Sequence, residues 1–190
     1  MGNPGAKYAG TRHNVGFMVL DRLAKAWSIR LGGEACLSKV GEGKRGETPV
    51  GLACPQTFMN SSGEAVACLM KRWQVAPSDV LVVFDDVALP LGMIRIRGQG
   101  SSGGHLGLAS VAQEAGTEEL PRLRIGIGPA EKPEGDLAEF VLGRFTAAEQ
   151  AKLEGALELA EQACGMWVEG RLPDAMNRFN RKAMEEKERE

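Results

Sequence analysis

A chain of 190 residues that is 43% hydrophobic holds enough apolar material for one substantial core, so a single domain spanning residues 1–190 is expected. Its 25 acidic and 23 basic residues give a net charge of -2, which excludes attraction to nucleic acid by overall charge and confines any RNA-binding surface to a local basic patch. No run approaches the ~18 apolar residues of a membrane span, and Met1-Gly-Asn-Pro-Gly5 lacks signal-peptide regions, so a cytoplasmic protein with no membrane partner is expected.

Val15, Met18, Val19, Arg22, Leu23 and Ala26 recur at helical spacing, which predicts an amphipathic helix after Asn14 with His13 at its N-terminal end. Ser61 and Glu64 have capping-box spacing ahead of Val66, Leu69, Met70 and Trp73, so Phe58-Met59-Asn60 falls on the loop leading into a second helix. Val80 to Phe84 is a short apolar β-branched run after Pro77-Ser78-Asp79, suited to a buried strand from whose carboxyl end Asp85 and Asp86 emerge. Met93 to Arg97 and Leu123 to Ile127 alternate apolar and other residues, as strands with one wet face do. Their arginines, Arg95, Arg97 and Arg124, together with Arg122, are the candidate basic patch, with Arg97 and Arg124 facing the same solvent. Gly98 to Gly104 is a glycine-rich loop, and His105 to Ala115 looks helical. Thr146 and Glu149 open a capped helix carrying Leu153, Leu157, Ala160 and Trp167, a last helix follows Pro173, and the mixed-charge tail 181–190 reads as a solvated helix end. Strands interleaved with helices argue an α/β sandwich, without repeat or linker.

Two short motifs are decoys. Gly98-Gln-Gly-Ser-Ser-Gly103 fits a dinucleotide-binding pattern, but it lies mid-chain after a strand that alternates with arginines. Gly100-Ser-Ser-Gly-Gly104 fits an esterase nucleophile turn at Ser102, but the one later histidine, His105, is three residues away, where the acid-then-base order of that fold does not put it. Cys36, Cys54, Cys68 and Cys164 are widely scattered and expected to be reduced, structural thiols. Two histidines and no cysteine pair give a zinc site little support, although carboxylates alone could hold magnesium; no metal or cofactor is expected. His13, in the polar cluster Thr11-Arg12-His13-Asn14 at a helix start, is the candidate general base. Asp85, at a strand end, is the natural carboxylate to fix its tautomer.

Gly2-Asn-Pro-Gly-Ala-Lys-Tyr8 and Thr11-Arg-His-Asn-Val-Gly-Phe17 closely resemble the opening of bacterial-type peptidyl-tRNA hydrolases. Pro55-Gln-Thr-Phe-Met-Asn-Ser-Ser-Gly63, Asp85-Asp-Val-Ala-Leu-Pro90, Gly103-Gly-His-Leu-Gly-Leu108 and Pro121-Arg-Leu-Arg-Ile-Gly-Ile-Gly128 extend the resemblance, in order, over nearly the whole chain. The resemblance implies a three-layer α/β sandwich with a mixed, mostly parallel sheet. It implies hydrolysis of the ester of peptidyl-tRNA by a monomer needing neither cofactor nor protein partner. It gives His13 the part of base and Asp85 that of its support. Asn3 would distinguish blocked from free aminoacyl-tRNA, and Tyr8, Phe58 and Asn60 would contact the tRNA end. Met59 and His105 would support the site, and Arg97 and Arg124 would meet tRNA phosphate.

The chain departs from the family pattern in three places. Leu106 stands where the family has asparagine and cannot make that amide's hydrogen bonds, which predicts lowered turnover. Ala88 replaces a commonly acidic residue. The sequence starts almost at Asn3, where the family has a short apolar strand before this block, so an incomplete N-terminus is expected. Leu106 favours one competing reading, a non-catalytic RNA-binding protein on the same scaffold, as in plant organellar splicing factors; a small-molecule esterase is a third.

Overall fold

A computed structural model describes residues 1–129 and 136–180; the tail read as a helix end lies outside them. Helices α1 (Val15–Ala26), α2 (Ser62–Trp73), α3 (Leu106–Ala115), α4 (Leu137–Leu142), α5 (Gln150–Val168) and α6 (Leu172–Asn180) surround two sheets. Strands β1 (Gly33–Ala35), β2 (Ser38–Arg45) and β3 (Thr48–Pro55) form an antiparallel meander. Strands β4 (Val82–Pro90), β5 (Ile94–Arg97) and β6 (Arg122–Gly128) form the central sheet in the order β4-β6-β5. That sheet is mixed, with β6 running parallel to β4 and antiparallel to β5.

The two faces of the central sheet make the middle of three layers. Val83, Ile94, Ile96, Leu123, Ile125 and Ile127 join the core formed with α1, α5 and α6. Val82 and Phe84, one residue out of phase, pack with Leu108, Val111 and Leu120 on the α2–α3 side. A strand whose successive side chains enter different layers reads as a continuous apolar run, as Val80 to Phe84 does. The strand starts later than that run, at Val82, and extends well past it to Pro90, so Asp85 sits inside the paired region opposite Ile125 instead of beyond the strand end.

Helix α1 buries Val15, Val19 and Leu23 and ties its outer face to α5 through Arg22, which pairs with Glu154 and Glu161. The Ser61–Glu64 capping box does not form: a 3-10 turn over Met59–Ser61 leads into α2, and Ser61 makes no side-chain cap bond. The Thr146–Glu149 box does form, with Thr146 N–H donating to Glu149 Oε2 at 2.7 Å, but in the turn before α5, which begins at Gln150. Helix α6 starts at Leu172 and takes Pro173 into its first turn, where the missing N–H is no loss.

Two expectations about surface chemistry are corrected. Cys36, in the β1–β2 turn, and Cys68, on α2, form a disulfide across a Cα separation of 5.5 Å. Spacing along the chain hid this contact because the hairpin folds back onto α2. Cys54 and Cys164 are buried free thiols, which burial pushes up to about 11 and about 12. Arg122 is also buried, not part of an exposed patch: the glycine-rich loop closes over it, and its guanidinium donates to the carbonyls of Gly100, Ser101, Glu118 and Leu120. Among the described residues no helix is long and apolar enough to cross a membrane.

Candidate active site

His13 stands in a 3-10 turn, Arg12–Asn14, that leads into α1, and its neighbours fix that turn from both sides. Arg12 is buried and donates to the Arg144 carbonyl at 2.8 Å and to both carboxylate oxygens of Glu149 at 3.1 and 2.9 Å. Its guanidinium also lies over the Phe140 ring, 4.5 Å from the centroid. Burial pushes Glu149 up, but the Thr146 amide and Arg12 outweigh it and hold Glu149 below the ordinary carboxylate range. On the other side Asn14 clamps Asn3, accepting its backbone N–H at 2.8 Å and donating to its carbonyl at 2.9 Å.

That frame sets His13 against Asp85, with Nδ1 2.8 Å from Oδ1. Asp85 is 4% exposed and the His13 side chain 17%. Burial alone would push Asp85 up, but hydrogen bonds from His105 and His13 outweigh it and hold the carboxyl below its usual range. An ionised carboxylate only accepts, so Nδ1 of His13 carries a proton, and in the neutral ring the lone pair lies on Nε2. This is the state a general base needs.

His105 meets the same carboxylate oxygen, with Nε2 3.2 Å from Asp85 Oδ1. Its ring packs on Phe84, centroids 4.6 Å apart, and its Nδ1 accepts the Leu108 N–H at 3.1 Å as the N-cap of α3. Consecutive left-handed glycines, Gly103 at φ 58° and Gly104 at φ 83°, turn the chain into this cap, a path that side chains with a Cβ resist. Ligand-type atoms of His13, Asp85 and His105 lie within 4.8 Å of one another. A metal there would need a bare His105 Nε2, which would move the proton to Nδ1 and set it against the Leu108 N–H.

Asn3 accepts the Met59 N–H through its side-chain oxygen at 2.9 Å, which leaves its amide NH₂ to donate elsewhere. Met59 therefore reaches the site through its backbone, its side chain being buried among Met1, Val82 and Leu108. Phe58 is 60% exposed, so core packing does not account for it, and Asn60 beside it is exposed. Tyr8 is half-buried under Lys7, whose Nζ lies 4.6 Å from the ring centroid. Opposed pairing of Arg95 with Arg124 and Arg97 with Arg122 puts all four arginines on one face of the sheet. Arg97 is exposed, whereas Arg124 is paired with Asp86. Among the described residues no hydrogen bond or ion pair joins Arg97 to the His13–Asp85–His105 cluster.

Arg12 and Asn14, on either side of His13 in its polar cluster, carry no signal in the sequence of the clamping that they do here. Glu149 lies 137 residues from Arg12, and the loop that folds Asn3 back onto Asn14 across 11 residues has no periodic pattern, so nothing local marked them as clamps. A cavity of about 1010 Å³ along β4, lined by Met1, Trp27, Leu69, Trp73, Val83 and others, does not include the three clustered side chains.

Comparison with known proteins agrees along the whole chain. The peptidyl-tRNA hydrolase family model matches residues 1–187. The peptidyl-tRNA hydrolase of Brevibacillus brevis is 42% identical over 180 residues, covering 95% of both chains. That of Desulforudis audaxviator is 47% identical over 180 residues, covering 95% of this chain and 90% of its own. The crystal structure of peptidyl-tRNA hydrolase from Acinetobacter baumannii superposes with a TM-score of 0.88 at 36% identity, covering 94% of this chain and 91% of that one. With sequence and fold matched at this coverage, the chain belongs to the peptidyl-tRNA hydrolase family, hydrolases whose substrate is peptidyl-tRNA.

Proposed function

We propose that the chain cleaves the ester of peptidyl-tRNA with water activated by His13, as a single-domain monomer of the cytoplasm that needs no protein partner, metal or cofactor. The observation carrying this reading is the 2.8 Å bond from His13 Nδ1 to a buried, ionised Asp85, which reserves Nε2 as the base. Nε2 takes a proton from water as its oxygen adds to the ester carbonyl. The bond from that carbon to the tRNA ribose oxygen then breaks, and the ribose oxygen takes up the proton that Nε2 holds, which returns His13 to its neutral form. The products are free tRNA and a peptide acid. Asp85 keeps the imidazole in the right tautomer and stabilises the imidazolium formed.

Asn3 and Asn60 supply amides for the peptide end, Phe58 and Tyr8 rings for the terminal base or sugar, and Arg97 a fork for phosphate. Arg124 contributes less net charge, being offset by Asp86. Met59 and His105 support the site. The amide of Asn3, with its oxygen already used by Met59, donates to the peptide carbonyl that a blocked substrate has and a free aminoacyl-tRNA lacks. An N-acetylated aminoacyl-tRNA is therefore expected to be cleaved while its free counterpart is spared. Equal cleavage of both would contradict the assignment of Asn3.

One observation favours the RNA-binding reading: Leu106, at the head of α3 next to His105, is 68% exposed and offers no polar atom. As an enzyme lacking one hydrogen bond, Leu106→Asn is expected to turn over about 2- to 10-fold faster, the worth of one ordinary net hydrogen bond. Steady-state hydrolysis checks this. An unchanged rate would show that position 106 is not limiting, and a variant chain still without cleavage would favour the RNA-binding protein.

A further inference from the structure

The geometry points to His105 as a positioning residue that sets the pH range of His13 by sharing its carboxylate oxygen. This rests on His13 being the base. Both imidazoles meet Asp85 at Oδ1, His13 at 2.8 Å and His105 at 3.2 Å. The tautomer of His105 follows from the helix it caps: Nδ1 accepts the Leu108 N–H at 3.1 Å, so the ring proton stays on Nε2 and is donated to Asp85. Phe84 under the ring and the turn through Gly103 and Gly104 hold that orientation.

Two donors on one oxygen divide its accepting capacity. The bond from His105 disperses charge that would otherwise act on His13 alone, so the imidazolium of His13 is held less firmly and gives up its proton at lower pH. His105 touches neither the water nor the ester in this scheme; it acts through Asp85.

Other charges around the pair do not reproduce the effect. Arg12, in the same turn, is neutralised by Glu149, and on β4, packed on that turn, Asp86 is paired with Arg124. Helix α4, packed on that turn, carries one charged residue, Glu139, which is exposed. In α1 the first charged residue is Asp21, almost two turns on. Burial holds the Met1 amino group down to about 6, against the opposite pull of Cys54 and Asp85, and it is common to all variants compared.

Two substitutions separate the shared bond from the helix cap. His105→Asn keeps a side-chain oxygen for the Leu108 N–H but is too short to donate to Asp85. His105→Gln offers its amide N–H where Nε2 was and gives up the cap. The test is the pH dependence of kcat/KM for an N-acetylated aminoacyl-tRNA, with thermal stability measured alongside. In His105→Asn the acidic limb is expected to move to higher pH by about half a unit or more, while His105→Gln stays near the wild type despite its weaker cap. Limbs that stay put in both variants, or move equally in both, would overturn the proposal. Cleavage that survives in His13→Ala would overturn the base assignment and this proposal together. Cleavage lost in His13→Ala with an unmoved limb in His105→Asn would overturn this proposal alone.

Discussion

Replacing His13 by alanine is expected to lower kcat for blocked aminoacyl-tRNA by about 10²- to 10⁴-fold, the usual worth of a positioned general base. The fold should survive. Among the described residues the side chain of His13 makes one hydrogen bond, to Asp85, whereas the turn around it is held by Arg12 and Asn14 through bonds that alanine leaves in place. Asp85→Asn should cost activity too, since its amide can donate to Nδ1 and favour the tautomer with the proton on Nε2, where the base is needed. In the proposed scheme the two residues act as a unit, so the double variant should be little worse than His13→Ala alone. Losses that multiply in the double variant would mean that Asp85 serves the reaction by a route independent of His13.

The second large effect concerns stability. The Cys36–Cys68 bond closes a loop with a sequence separation of 32, so Cys36→Ser with Cys68→Ser is expected to lower unfolding free energy by about 3 to 4 kcal/mol in denaturant titration. Without reductant, the denatured wild type should expose two thiols, those of Cys54 and Cys164, out of four cysteines. Four thiols under those conditions, or unchanged stability in the double serine variant, would show that the bond is not formed. A reducing cytoplasm opposes such a bond, so this measurement also bears on where the chain works.

The sequence carried the parts of the fold whose period is strong. Helix α1 declared itself through Val15, Val19 and Leu23, and α3 through the loop-to-helix change at His105; β5 and β6 did so through alternation with Arg95, Arg97 and Arg124. The β1–β3 meander did not, because Gly41, Glu42, Gly43, Lys44 and Arg45 interrupt any apolar alternation along β2. Its strands are specified by pairing with β3 and by packing of Leu52 into the core, which are not local signals. For the same reason Arg122 read as a surface charge until the loop carbonyls that surround it were in view.

The site divides in the same way. His13 at a helix start and Asp85 after an apolar run stood out as candidates, and the structure brings them together although 72 residues separate them. Family resemblance added Asn3, Phe58 and Asn60, which local pattern alone left as loop residues. What remained hidden was the wiring: Asn14 to Asn3, Arg12 to Glu149, and His105 to the oxygen His13 uses. Each joins residues brought together by the folding of the N-terminal loop, α3 and the segment before α5 against β4 and the turn that leads into α1.

The most direct test of the catalytic scheme is hydrolysis of an N-acetylated aminoacyl-tRNA beside its unblocked counterpart, by wild type and His13→Ala at matched concentration and verified folding. Selective cleavage by the wild type that falls by about 10²-fold or more in the variant is the expected result. Cleavage undiminished in His13→Ala, or none from a folded wild type, would contradict it.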